Sequence, residues 1–132
     1  MKIANHMTNL IIAHVLKFKI MTIKKITIAS RESPLAIWQA EHIKSKINRI
    51  YPNIKINIKG FKTQGDILLD QSLANIGGKG LFIKELEQAL IDKEADLAVH
   101  SMKDLPMDIL DEFQLIAITE REDPRDAFIS NN

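Results

Sequence analysis

A short apolar run followed by charged residues, at positions 97–106, is the first candidate for chemistry. Residues 97–99 (Leu-Ala-Val) have the pattern of a buried parallel strand, and polar side chains follow at once, among them Lys103 and Asp104. Because ligands bind at the carboxyl ends of strands in open α/β sheets, this pair is predicted to lie where chemistry is usually done. The same pattern is also typical of a helix N-terminus, with Asp104 as a capping or first-turn acid.

Two other segments are predicted to bring polar side chains to the same edge of the sheet. Arg31 and Ser33 lie where the first predicted strand enters the first predicted helix, and Lys79 lies in a glycine-rich turn before a later helix. Helix N-termini bind anions through free N–H groups, and arginine adds a bidentate fork for carboxylates. The predicted site is therefore cationic, with one carboxylate inside it.

Several weaker signals leave alternatives open. The glycine-rich segment 77–80 has neither the Walker nor the GxGxxG spacing, which favours a loop hinge over a phosphate loop. His100 is either a catalytic base or ligand or, as is more common for a lone histidine at a strand end, a structural residue. No cluster of metal ligands occurs, and Trp38 and Phe82 are interpreted as core or lid aromatics.

Strands and helices alternate along the predicted fold. Apolar or β-branched runs predict strands at 26–29, 54–58, 97–101, 115–119 and 127–130. The first helix, 34–50, begins with Ser33 as N-cap and Pro34, and a second helix covers 81–94. Their predicted buried stripes are Ala36, Ala40, Ile43, Ile47 and Ile50 in the first, and Phe82, Leu86, Ala89 and Leu90 in the second. The loop 62–79 has the length of a lid or binding loop.

Composition sets the broad class. The chain has 132 residues with a formal net charge of +1, which fits one small domain and gives no strong attraction to nucleic acid or to a membrane surface. There is no cysteine, which excludes disulfides and thiolate chemistry and suits a reducing compartment such as the cytoplasm. Residues 1–22 include an apolar run too short to span a bilayer, and Met21 is a natural start. We therefore expect residues 1–22 to be an extension outside the fold.

Five segments form a series along the chain. They read IASRESPLAIWQA (28–40), TQGD (63–66), GGKGLF (77–82), AVHSMKDLP (98–106) and EREDPRDAF (120–128). In order and spacing they resemble the N-terminal part of the porphobilinogen deaminase family, also called hydroxymethylbilane synthase. The resemblance runs from about Ile26 to the last residue, and five motifs in one order are far more specific than any one of them.

The resemblance implies a fold and an activity. The expected fold is an α/β domain of the periplasmic-binding-protein type (type II), with a mixed, mostly parallel sheet flanked by helices. Residues 23–119 would be the first segment of domain 1, 120–126 a hinge and 127–132 the start of domain 2. The family enzyme condenses four porphobilinogen molecules head to tail and releases ammonia, a step of heme biosynthesis. It carries a dipyrromethane primer, thioether-linked to a cysteine in its third domain.

The resemblance also assigns roles to individual residues. Asp104 matches the family's catalytic aspartate, which faces the pyrrole nitrogens. Five residues match positions that hold cofactor or substrate carboxylates or close the loop over them: Arg31, Ser33, Lys79 and Lys103, with Gln39 as a weaker candidate. The 62–79 loop matches the mobile active-site loop, and Phe82 lies just beyond it. No metal is implied.

This sequence departs from the family in two respects. It has no cysteine to attach the primer, and its last residue follows closely on the predicted hinge. The interpretation is an N-terminal fragment with an incomplete sheet, which is expected to show no turnover alone. The resemblance implies a monomer, with a complementing fragment as a candidate partner. Two alternatives remain: a small-carboxylate binding module that performs no chemistry, and a non-functional gene relic.

Overall fold

The computed structural model describes the backbone of residues 9–14 and, in full, residues 23–68, 80–106 and 109–120. Within these residues five strands form one sheet: β1 (Asn9–His14), β2 (Lys25–Arg31), β3 (Lys55–Phe61), β4 (Leu97–Ser101) and β5 (Phe113–Ile118). Their order is β3-β2-β4-β1-β5. β2 is parallel to β3 and to β4, whereas β1 is antiparallel to β4 and β5. The prediction of a mixed α/β fold is confirmed.

The long helix α1 (Pro34–Ile50) follows β2 directly, and its start agrees with the prediction. Ser33 is the N-cap, its Oγ accepts a hydrogen bond from the Ala36 N–H (3.3 Å), and Pro34 occupies the first turn. This arrangement is favourable because the first helical N–H groups lack internal partners and proline has no N–H to leave unpaired. The helix ends at Tyr51, before Pro52.

Two short helices complete the described chain around the sheet. α2 (Gln64–Ile67) follows β3 after two residues, and α3 (Lys84–Ile91) precedes β4. A single 3-10 turn, Met102–Asp104, continues from the end of β4. Because β2 and β4 are parallel neighbours, Arg31 and Asp104 come to the same edge of the sheet.

The central strands β2 and β4 carry buried residues on both faces, as expected for parallel strands between helices. Neighbouring residues of one strand point to opposite faces, so Ile28 packs with α1 while Ala29 packs with α3. The α1 side is an aliphatic cluster of Ile28, Ala40, Ile43, Ile56, Leu97 and Val99. The α3 side is a cluster of Ala29, Leu86, Ala89, Leu90, Ala95, Ala98 and Phe113.

Some details of the helix predictions were wrong. Ile50 is predicted to lie in the buried stripe of α1 but is 68% exposed, because the packing of that stripe on the described core ends at the partly buried Ile47. Trp38 is not a core residue: it is half exposed and stacks on His42. The second predicted helix is shorter than 81–94, since residues 81–83 form turns and Phe82 is only partly buried.

The position of β1 differs from the expectation that residues 1–22 lie outside the fold. Residues 9–14 pair with β4 on one side and with β5 on the other. The physical reason is backbone hydrogen bonding, because a strand edge leaves a row of unpaired N–H and C=O groups that an extended segment can satisfy. The predicted hinge (except Glu120) and the predicted strand 127–130 lie outside the described residues, as do residues 69–79 of the long loop.

A helix that crosses a bilayer needs about 20 consecutive, mostly apolar residues. None of the helices in the described ranges is long and apolar enough to cross a membrane.

Candidate active site

A concave pocket opens at the carboxyl edge of β2 and β4. Its volume is about 300 Å³. It is lined by polar side chains with an apolar floor: Arg31, Ser33, Leu35, Ala36, Gln39, Phe82, Val99, His100, Ser101, Lys103 and Asp104. A concave pocket in which a few polar groups converge on an apolar lining is typical of a small-molecule site.

Arg31, the last residue of β2, lies at the centre of the polar groups. Its Nη1 donates to Asp104 Oδ2 (3.4 Å), and its Nε and Nη2 donate to the two carboxylate oxygens of Asp66. The guanidinium also lies over the Phe82 ring, with Cζ 4.3 Å from the ring centroid. All three charged side chains are less than one-fifth exposed. Arg31 is therefore held in one orientation by a bidentate ion pair and a cation–π contact.

Asp66 is itself fixed by the start of α2. Thr63 is fully buried, and its Oγ1 donates to Asp66 Oδ2 (2.7 Å), while the Asp66 N–H donates back to Thr63 Oγ1 (3.3 Å). The Thr63 backbone N–H also donates to Asp66 Oδ2 (3.2 Å), and this bond together with the one from the Asp66 N–H to Thr63 Oγ1 forms a capping box. Burial raises the pKa of Asp66, but hydrogen bonds from Arg31 and Thr63 outweigh it and hold the pKa below its ordinary value of 3.8. Asp66 is therefore a permanent anion at neutral pH.

Asp104 and Lys103 come from the 3-10 turn after β4. Asp104 is 17% exposed at the side chain and has its carboxylate turned toward Arg31 and the pocket. Lys103 lines the same pocket and is exposed. The structure thus brings Arg31, Lys103 and Asp104 together.

Gln39 and Ser33 reach the pocket from α1. Gln39 is 2% exposed, and its Oε1 accepts a hydrogen bond from Ser101 Oγ (3.1 Å). Its Nε2 is buried without a hydrogen-bond partner among the described residues. A buried N–H group without an acceptor is costly, and a ligand carboxylate or carbonyl is one way to satisfy it. Ser33 caps the helix and keeps a hydroxyl hydrogen for donation.

His100, the fourth residue of β4, forms part of the pocket wall. It is 4% exposed. Burial and, secondly, the positive charge of Arg31 lower its pKa from 6.5 to about 4. The imidazole is therefore neutral at pH 7.

Lys79 lies outside the described residues, so its relation to the pocket stays a prediction. Asp66 was not singled out by sequence reasoning, although its motif TQGD was noted. The available signal was the spacing from Thr63 to Asp66, a threonine followed three residues later by an acid, which is typical of a capping box. That spacing predicts a helix start, but it does not show that the acid reaches Arg31.

Gly65 controls the position of Phe82 over Arg31. A Cβ built at Gly65 would lie 2.1 Å from the Phe82 ring. Gly65→Ala is therefore expected to displace the ring from the guanidinium and to lower the free energy of unfolding by about 1–3 kcal/mol. Urea unfolding would measure the loss. Gly60→Ala is a matched control, because its nearest neighbour is the flexible Glu32 side chain at 3.0 Å. Equal effects of the two substitutions would contradict this assignment of Phe82.

Comparison with known proteins identifies the family. Residues 26–132 match the family model described as "Porphobilinogen deaminase, dipyromethane cofactor binding domain". The chain is 64% identical to the porphobilinogen deaminase of Chromobacterium violaceum over 107 residues, which cover 81% of this chain and 35% of the relative. It is 63% identical to that of Nitrosomonas europaea (83% and 35%) and 60% identical to that of Laribacter hongkongensis (82% and 35%).

The match covers most of this chain and a smaller part of its relatives. The chain spans about one third of the length of these curated relatives. The matched residues include β2 from Ile26 onward, β4 and every described residue that lines the pocket. We conclude that this chain belongs to the porphobilinogen deaminase family.

Proposed function

We propose that this chain carries one half of a site that binds porphobilinogen and condenses it head to tail with loss of ammonia; its relatives are named for the deamination of porphobilinogen. Asp104 is the catalytic carboxylate, and Arg31, Ser33, Gln39, Lys79 and Lys103 hold the acetate and propionate groups of the pyrroles. The fold that goes with this function is a periplasmic-binding-protein (type II) domain. Residues 120–126 would be its hinge to a second domain, which begins at 127.

The observation that carries the proposal is the Arg31–Asp104 pair in one pocket. A porphobilinogen ring has carboxylates that need cations and a pyrrole N–H that needs an acceptor. Arg31 and Lys103 supply positive charge, and Asp104, 3.4 Å from Arg31, supplies the acceptor beside it. An anion at this position would weaken the binding of a ligand that offers carboxylates alone, because like charges repel.

Asp104 has a direct role in the proposed reaction. When the protonated amino group of the porphobilinogen aminomethyl substituent leaves as ammonia, the CH2–N bond breaks, and the methylene carbon stays on the ring as part of a cationic azafulvene. The α-carbon of the growing chain attacks this cation, a C–C bond forms and the α-proton is lost. A carboxylate near the pyrrole nitrogens stabilises the positive charge and can move protons between substrate and solvent. Arg31 fixes that carboxylate in place.

The residues of the pocket fit the pyrrole rings of the dipyrromethane named in the family description. Gln39 Nε2 is a buried donor without an acceptor among the described residues, and Arg31 presents a cation in the same pocket. Both suit a pyrrole carboxylate. When bound, the dipyrromethane supplies the α-carbon that attacks the first substrate. Because this chain has no cysteine, it would hold the dipyrromethane through non-covalent contacts alone.

Asp104→Asn separates this function from a simple carboxylate site. We expect the substitution to weaken porphobilinogen binding about tenfold, because a charge-assisted hydrogen bond to the pyrrole N–H is lost. It should tighten binding of glutarate, a dicarboxylate without an N–H, because one negative charge leaves the pocket. Calorimetric titration of both ligands against both proteins measures the two effects.

The control is Asp111→Asn, which changes the net charge equally at an exposed position outside the pocket lining. It should leave both affinities unchanged. If Asp104→Asn instead tightens binding of both ligands, the chain is a small-carboxylate binding module. If neither affinity changes, the pocket is not the binding site.

A further inference from the structure

Strand β1 is the only described strand that connects β5 to the rest of the sheet. Residues Asn9–His14 pair with Phe113–Ile118 on one side, and with Leu97–Ser101 on the other. β4 and β5 follow one another in the described chain, yet they are not neighbours in the sheet. If only the described strands are considered, removal of β1 would leave one edge of β4 and both edges of β5 with unpaired backbone N–H and C=O groups.

β1 does not belong to the part of the chain that the family model matches. That match begins at Ile26, the second residue of β2, and it covers the rest of β2 and all of β3, β4 and β5. β1 ends at His14, before the match begins. The contacts of β1 are therefore additional to the matched region. They are not predicted by family membership.

β1 also contacts the strand that leads into the candidate site. In the antiparallel register Leu10 lies opposite His100, and Asn9 lies opposite Ser101. These are the last two residues of β4, and the turn that carries Lys103 and Asp104 begins at the next residue. Backbone pairing at this point restrains the end of β4, because the hydrogen bonds of an antiparallel ladder run across the strands.

We infer that residues 9–14 act as a clamp strand: they fill a strand-accepting slot between β4 and β5, bind β5 to the sheet and hold the end of β4 in place. The occupant of the slot is this segment of the same molecule. The inference rests on the backbone register, and it is independent of the proposed function.

Engineered disulfides test the register directly, because the chain has no cysteine of its own. Ala13 lies opposite Gln114, whereas Ile118 lies opposite Leu10. Opposed residues of antiparallel strands have Cα atoms about 4.5–5.5 Å apart, within the range of a disulfide. The double variant Ala13→Cys/Gln114→Cys should therefore form an internal bridge under mild oxidation. Ala13→Cys/Ile118→Cys should not, since three residues along a strand add about 10 Å.

Mass spectrometry and non-reducing gels distinguish the possible results. An internal bridge in the Gln114 variant alone supports the clamp strand. Equal bridging in both variants, or in neither, overturns it. A covalent dimer in place of the internal bridge also overturns it, because the strand would then come from a second copy.

Hydrogen exchange of the full chain gives a second, independent readout. Ile11→Pro removes an N–H from the middle of β1 and disfavours the strand. The β5 amides should then exchange at least tenfold faster than in the unchanged protein, while the β3 amides keep their rates. Asn5→Pro, outside the bounds of β1, is the control and should leave both sets unchanged. Unaltered exchange of β5 in Ile11→Pro overturns the inference.

Discussion

Arg31→Gln is expected to weaken the binding of porphobilinogen to this chain at least tenfold. Hydrogen bonds to charged groups contribute about 1.5–3 kcal/mol each, and Arg31 is the cation held inside the pocket by two carboxylates. The substitution also leaves the carboxylates of Asp66 and Asp104, each less than one-fifth exposed, without their cationic partner. Their negative charge then repels an anionic ligand. Calorimetric titration measures the change.

Two further variants make the Arg31 experiment specific. Arg49→Gln removes the same charge from an exposed position in the last turn of α1 and should leave the affinity unchanged. Arg31→Lys keeps the charge but loses the planar fork, so it should restore only part of the affinity. If Arg31→Gln and Arg49→Gln weaken binding equally, the effect is one of net charge, and Arg31 has no specific role in the site.

The second large effect is a loss of stability in mild acid, caused by His100. The unfolded chain takes up a proton on this imidazole near pH 6.5, whereas burial and Arg31 lower the folded-state pKa to about 4. Over this window the unfolded state binds more protons, so stability is complete above about pH 6.5 and falls as the pH approaches 4. The full loss is about 3 kcal/mol, at about 1.36 kcal/mol for each pKa unit.

Urea unfolding at pH 7, 6, 5 and 4.5 measures this dependence, with His100→Gln as the comparison. The variant has no imidazole at this position and should lose less stability over the same range. Asp66 does not interfere, because its pKa lies below 3.8 and its contribution is lost only at lower pH. Parallel curves for the two proteins would show that His100 is not the group responsible.

The local elements around the site were predictable because short-range interactions decide them. Ser33, Pro34 and the apolar spacing of α1 predicted a helix that the structure confirms at 34–50. The run at 97–101 predicted β4 at its observed bounds. In both cases the deciding interactions are cap hydrogen bonds and the pattern of burial, which lie within a few residues of one another. The edge shared by Arg31 and Asp104 followed from the parallel arrangement.

Tertiary structure decided what distant segments do to one another. Asp66 is 35 residues from Arg31 in sequence, and only the folding of α2 against the end of β2 lets its carboxylate bind both Nε and Nη2. Ile50 satisfies the helical stripe of α1, but it lies beyond Ile47, the last residue of that stripe that packs on the described core, and it is exposed. β1 is positioned by backbone pairing with β4 and β5, two strands that begin more than eighty residues later in the chain. Sequence periodicity records which face of an element is apolar, whereas the partner that covers it depends on the whole sheet.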